Sequence, residues 1–180
     1  MKDNMKYFLS ENELEQRAEA MSKAQFDEAA HEKSKILLLN FSLAGELYGI
    51  DMLKIEEVIS LRQKTFIPYM PEFIKGMINF RGNPVLLADM RSILGLEFIE
   101  YTSESRILII NWGDMLTGIV IDGINRIIEI PLSAFKPVKD SIQSVKADYI
   151  KGVAQSNEKI IILLNIENVL KEISERLKQK

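Results

Sequence analysis

Few residues of this chain have catalytic chemistry to offer. The only histidine is His31, set in a polar stretch, and there is no cysteine. A lone solvated imidazole has no acid–base partner, so hydrolytic dyads and zinc sites built on His or Cys are not expected. Glu56 and Glu57 are adjacent. Neighbours on a strand point to opposite faces, so they are not expected to share a proton or a metal ion. Asp51, Asp89 and Asp122 stand singly near strand ends and turns. Gly45, Gly49 and Gly76 are isolated and form no phosphate-cradling loop. These residues point to a binding protein, with no catalytic residue, no metal site and no cofactor. Arg81 is the exception worth following. It lies in the turn Arg81-Gly82-Asn83 between two apolar runs, where a guanidinium can present a fork to a partner's carboxylate or carbonyls. The alternative is a structural brace to the Pro68–Pro71 loop or to a carboxylate such as Asp89.

The elements that position Arg81 come from a repeat. Phe73–Leu94 (FIKGMINFRGNPVLLADMRSIL) aligns without a gap over 22 positions with Tyr149–Leu170 (YIKGVAQSNEKIIILLNIENVL), 76 residues later. Both begin aromatic-Ile-Lys-Gly and end on a short helical stretch. The centres differ: Asn79-Phe80-Arg81-Gly82 stands where the second copy has Gln155-Ser156-Asn157-Glu158. Earlier matches extend the repeat. Asn40-Phe41 corresponds to Asn111-Trp112, and Leu47, Gly49, Ile50 and Ile55 correspond to Leu116, Gly118, Ile119 and Ile124. An internal duplication follows, each unit having about five short strands and a helical turn. Closure of such strands into a small barrel removes exposed edges. The expected fold is mainly β: two five-stranded barrels, roughly 35–100 and 101–170, packed together and followed by a C-terminal helix. Asn165 is its expected cap, and Ile166, Val169, Leu170, Ile173 and Leu177 its apolar face. The groove between such units is expected to expose Ile55, Glu57, Arg81 and the Ile124–Ile127 strand, a lining suited to an amphipathic helix.

Residues 1–34 read differently. They hold five Lys/Arg and eight Asp/Glu, which accounts for the whole net charge of −3. Ser10 and Glu13 fit a capping box before a charged, Ala-rich helical extension with a thin apolar stripe. The charge-balanced remainder gives no electrostatic reason to expect nucleic acid or an anionic membrane. Aromatic residues are not interleaved with basic ones, against a single-strand stacking platform. No apolar run is long enough for a membrane span and no secretory signal is evident.

From about Lys35 to Leu170 the chain resembles the CheW-type chemotaxis coupling proteins. The resemblance rests on FSLAGELYGIDMLKIEEVI (Phe41–Ile59), FIKGMINFRGNPVLLADMR (Phe73–Arg91), GIVIDGINRII (Gly118–Ile128) and YIKGV…IIILLNIENVL, in that order. The family's Asn-Leu-Arg-Gly and Asp-Leu-Arg segments stand here as Asn79-Phe80-Arg81-Gly82 and Asp89-Met90-Arg91. The resemblance implies two SH3-like barrels with a hydrophobic seam. It also implies a non-enzymatic, cytoplasmic adaptor associated with receptor arrays at the membrane. Such an adaptor links the cytoplasmic tip of methyl-accepting chemoreceptors to the regulatory domain of a CheA-type histidine kinase in a two-component system. Carried over by motif, the receptor-binding residues are Ile55, Glu57, Lys75, Gly76, Arg81 and Ile127. The extension departs from the family pattern and is compatible with a scaffold of a variant, non-flagellar chemosensory pathway. A small-barrel nucleic-acid-binding protein is the alternative from a different class.

Overall fold

The computed structural model describes residues 35–61, 63–113, 115–137, 145, 147–156 and 159–178. The expected capping box, His31, Asn157 and Glu158 lie outside the described residues. Among the described residues, ten strands and two α-helices follow in order: β1 (Lys35–Leu43), β2 (Glu46–Asp51), β3 (Ile55–Ser60), β4 (Ile74–Phe80), β5 (Asn83–Asp89), α1 (Met90–Leu94), β6 (Arg106–Trp112), β7 (Met115–Ile121), β8 (Gly123–Pro131), β9 (Ile150–Ser156), β10 (Lys159–Leu164) and α2 (Ile166–Lys178). A 3-10 turn at Met52–Lys54 separates β2 from β3. Asp51 caps it by accepting the Leu53 amide at 2.9 Å.

Strand pairing follows the duplication but not the division into halves. One sheet has the order β8-β1-β2-β10-β9 and the other β3-β6-β7-β5-β4. In repeat terms, each sheet takes the first hairpin of one unit and the last three strands of the other. The expected boundary between barrels at residue 100 is therefore corrected: both barrels draw on both halves. The apolar pattern sets which face of a strand is buried and leaves open which strand lies beside it. The registers keep the internal symmetry. Gly76 pairs with Leu87 and Leu87 with Gly118; Gly152 pairs with Leu163 and Leu163 with Gly49.

Each sheet closes on itself through the segment that leaves its first strand. Beyond β3, Thr65 exchanges two backbone hydrogen bonds with Met77 of β4, at 2.8 and 2.9 Å. Beyond β8, Lys136 does the same with Val153 of β9, both at 2.9 Å. This is the physical content of the repeated aromatic-Ile-Lys-Gly. Both copies bulge at the lysine, Lys75 or Lys151, because two residues there face one step of the partner strand. The glycine that follows lets the closing segment in. A Cβ on Gly76 would lie 2.6 Å from the Thr65 carbonyl oxygen, and one on Gly152 2.9 Å from that of Lys136.

Period-2 alternation then sorts the side chains. Ile107 and Ile109 of β6 fill one barrel with Ile78, Val85, Leu87 and Val120. Leu38 of β1 fills the other with Ala154, Ile161 and Leu163. The alternate residues, Leu108 and Ile110 on β6 and Leu39, Phe41 and Leu43 on β1, meet in a third and larger cluster with the buried face of α2. The strands therefore read as continuous apolar runs, since both of their faces are covered. The two-barrel β architecture and the terminal helix are as expected. Asn165 caps α2 through its side chain to the Asn168 amide at 3.3 Å.

Candidate functional site

The turn between β4 and β5 is a two-residue hairpin, with Phe80 opposite Asn83. Arg81 has φ 51° and Gly82 φ 86°, the two positive values of a type I′ turn whose twist suits a tight hairpin. Glycine and asparagine adopt this conformation readily; for arginine the left-handed region costs about 1–2 kcal/mol. Asn79 supports the turn by accepting the Gly82 amide at 2.9 Å. The guanidinium lies 5.0 Å from the centre of the Phe80 ring. Its Nη2 hydrogen-bonds Glu57, and its Nη1 is 3.8 Å from Glu56 Oε1.

The meeting of Arg81 with both glutamates corrects two expectations. Arg81 is braced to a carboxylate, as the structural alternative had it, but to Glu57 and not to Asp89, which caps α1 by accepting the Ser92 amide at 3.0 Å. Glu56 and Glu57 do not diverge to opposite faces. The register between β3 and β6 slips between Ile55 and Glu57, where two steps on β3 match one on β6. That bulge at Glu56 breaks the alternation and brings both carboxylates to the same arginine. For the same reason Ile55 and Glu57 do not share a face in the simple period-2 sense, and Ile55 packs against the large central cluster.

The other expected residues are spread out. Lys75 sits at the β4 bulge, six residues before Arg81 and hence about 20 Å away along the strand, with Nζ 5.0 Å from the Phe98 ring centre. Gly76 is buried beneath Thr65. Ile127 stands on β8, in the other sheet, exposed along with Ile124. The structure thus joins Glu57 to Arg81 directly, while Lys75, Gly76 and Ile127 occupy separate places.

Sequence reasoning passed over Glu56, Asn79 and Phe80 as members of this site. The Asn-x-Arg-Gly spacing was the available signal for an arginine held by a side-chain-capped hairpin. A second omission is an apolar trough of about 480 Å³, lined among others by Pro84, Leu86, Trp112, Met115, Ile173 and Leu177. It shares Asn83 and Leu116 with a depression of about 330 Å³ beside Arg81. Trp112 and Met115 are partly exposed at the tip of the β6–β7 hairpin.

At the other end of β4 and β5, near Lys75 and Phe98, lies a buried polar network. Arg91 is 2% exposed. Its Nε donates to Asp122 Oδ1 at 2.7 Å, its Nη2 to the same oxygen, and its Nη1 to the Ile99 carbonyl. Asp122 Oδ2 accepts the Ala44 amide at 2.8 Å, fixing the β1–β2 hairpin. Asp89 Oδ2 accepts the Tyr101 hydroxyl. Partial burial, followed by the hydrogen bond to Asp89, raises the Tyr101 pKa above the ordinary phenol range. The folded state therefore holds the neutral phenol longer than the unfolded state does. This contribution is fully present below the unfolded value of about 10 and is lost as pH rises through the folded value. Tyr48, raised by burial and by its bond to Glu46, acts in the same direction. Tyr101→Phe is expected to flatten the fall in stability above about pH 10, measured by urea unfolding at several alkaline pH values. An unchanged slope would show that Tyr101 ionises freely in the fold.

Among the described residues, no group of three or more His, Cys, Asp or Glu side chains is placed to hold a metal ion. No helix among them is long and apolar enough to cross a membrane.

Comparison with known proteins places this arrangement. The CheW-like domain family matches residues 37–174. The chemotaxis protein CheW of Klebsiella aerogenes is 32% identical over 132 residues, covering 73% of this chain and 80% of that protein. The chemotaxis protein CheW of Helicobacter pylori is 25% identical over 162 residues, covering 89% of this chain and 98% of that protein. That span is longer than residues 35–180, so the match takes in part of the N-terminal extension. The crystal structure of the scaffolding protein TtCheW from Thermoanaerobacter tengcongensis superposes with a TM-score of 0.69 at 29% identity, covering 74% of this chain and 86% of that one. With a domain match over most of its length and the same double-barrel fold, the chain belongs to the CheW family of chemotaxis scaffold proteins.

Proposed function

We propose that this protein is a non-enzymatic adaptor coupling the cytoplasmic tips of chemoreceptors to a CheA-type histidine kinase, working in the cytoplasm at receptor arrays. The receptor tip, a helical hairpin, docks on the face that carries Glu57 and Arg81. Ile55 adjoins that face on β3, Lys75, Gly76 and Ile127 lie apart from it, and the kinase regulatory domain takes another surface. The observation that carries the reading is the conformation of Arg81. A bulky cation is held at φ 51°, where the duplicated unit has Asn157, a residue suited to such a turn. Keeping arginine there works against local stability, as residues retained for recognition often do.

The test is Arg81→Asn. Asparagine relieves about 1 kcal/mol of left-handed strain and loses an exposed ion pair that contributes less than about 1 kcal/mol. The unfolding free energy is expected to stay within about 1 kcal/mol of the parent chain, while affinity for a receptor-tip hairpin falls at least about tenfold. Urea unfolding and calorimetric titration give the two numbers. A destabilised variant that still binds the receptor would make Arg81 a structural residue and remove the support for this reading.

A further inference from the structure

The depression beside Arg81 has a composition that selects its occupant. Its lining includes Glu56, Phe80, Arg81, Asn83, Asn111 and Leu116. Glu57, which holds Nη2 of the guanidinium, is not part of that lining. Nη1 faces Glu56 Oε1 across 3.8 Å, too long for a direct hydrogen bond. The rim therefore offers one strong donor and one strong acceptor side by side, with the Asn83 and Asn111 amides, each both donor and acceptor, beside them. Leu116 and Phe80 supply apolar surface. The bulge in β3 is what makes this rim, because regular alternation would turn Glu56 away.

Charge narrows the choice. Glu56, Glu57 and Arg81 together carry one net negative charge. A carboxylate entering the depression meets Arg81 but also meets Glu56 beside it, 3.8 Å from Nη1. An ammonium meets Glu56 but faces Arg81. A neutral carboxamide satisfies both: its carbonyl accepts from Nη1, its NH2 donates to Glu56, and no charge is added. Its methylenes cover Leu116 and Phe80. We infer that the depression between Glu56 and Arg81 is a specificity pocket for a side-chain carboxamide, a glutamine or asparagine of the docking receptor helix. The inference rests on the receptor-adaptor reading above.

The experiment titrates the full chain with a helical-hairpin peptide from a chemoreceptor tip in which each Gln and Asn is changed in turn to Glu or Asp. At one position the acidic exchange is expected to weaken binding about tenfold to the parent chain and no more than about twofold to Glu56→Gln, a coupling within the range of contacting pairs. Glu56→Ala, which removes the acceptor without a replacement, is expected to weaken the unmodified peptide and to leave the acidic exchange at that same position nearly silent. An acidic exchange that tightens binding to the parent chain would reassign the pocket to carboxylates. Absence of any position coupled to Glu56 would overturn the assignment while Arg81→Asn still weakened binding, leaving the receptor reading intact. A parent chain that does not bind the peptide would overturn both.

Discussion

Arg91→Ala is expected to lower the unfolding free energy by about 3 kcal/mol, the lower end of the cost of removing one partner from a buried ion pair, because Arg91 is buried while Asp122 keeps 23% of its side chain exposed. Three of the arginine's nitrogens are committed, to Asp122 and to the Ile99 carbonyl. Its guanidinium carbon lies 5.7 Å from each of the Phe98 and Tyr101 ring centres. Truncation leaves Asp122 with only the Ala44 amide of its two bonded groups and opens space beside two aromatic rings. The effect crosses between sheets. Arg91 follows β5 in one barrel, whereas Ala44 is in the β1–β2 hairpin of the other. Amide exchange should therefore speed up at the β1–β2 hairpin as well as around α1. Urea unfolding measures the first effect and hydrogen exchange by NMR the second. A loss under about 1 kcal/mol would mean that water replaces the guanidinium, and that the network matters less than its burial suggests.

Gly76→Ala is expected to cost about 3 kcal/mol or more. Two effects add. The backbone at Gly76 has φ +132°, a region that costs residues with a side chain about 1–3 kcal/mol. The new methyl group would also stand 2.6 Å from a backbone oxygen that is held in place by the hydrogen bond it accepts from the Met77 amide. The internal symmetry supplies a control. Gly152→Ala meets the Lys136 carbonyl oxygen at 2.9 Å but without the positive φ, so its loss should be clearly smaller. Measuring both by thermal unfolding tests the ordering. If Gly152→Ala is the worse of the two, closure of the β4 barrel tolerates strain that the other barrel does not.

Much of this was legible in the residues themselves. The duplication could be read because glycines and lysines with backbone duties recur at one offset, and those duties proved to be barrel closure. The caps at Asp89 and Asn165 could be read because a side-chain acceptor three residues before an unpaired amide is a local signal. Strand exchange could not, since Ile107–Ile110 and Ile36–Leu39 are apolar at every position and would satisfy either neighbour. The bulge at Glu56 could not either. It depends on the register between β3 and β6, strands whose paired residues are some fifty positions apart. Within the candidate site, Arg81 and Glu57 were found from motif and resemblance. Glu56 was discarded by a rule of alternation that the bulge suspends. Arg91 was overlooked because an arginine in a short helix normally projects into water, and only the tertiary fold covers it.

The exchange of strands between the two units also sets a timetable for synthesis. As the chain leaves the ribosome, β1 and β2 appear first, but their barrel needs β8, β9 and β10. Neighbours β2 and β10 are separated by more than 100 residues of chain, and long-range pairings of this kind form slowly. The first hairpin must wait, its apolar faces uncovered, until nearly the whole domain has emerged. The barrel of β3 to β7 can close earlier, since its strands are consecutive in the chain. A nascent chain halted after Ile121 should therefore hold one finished barrel and one orphan hairpin, a state open to chaperones and to pairing with a neighbouring copy. Two barrels that look separable in space are in this way completed in a fixed order, the one of β3 to β7 before the one that holds the first hairpin.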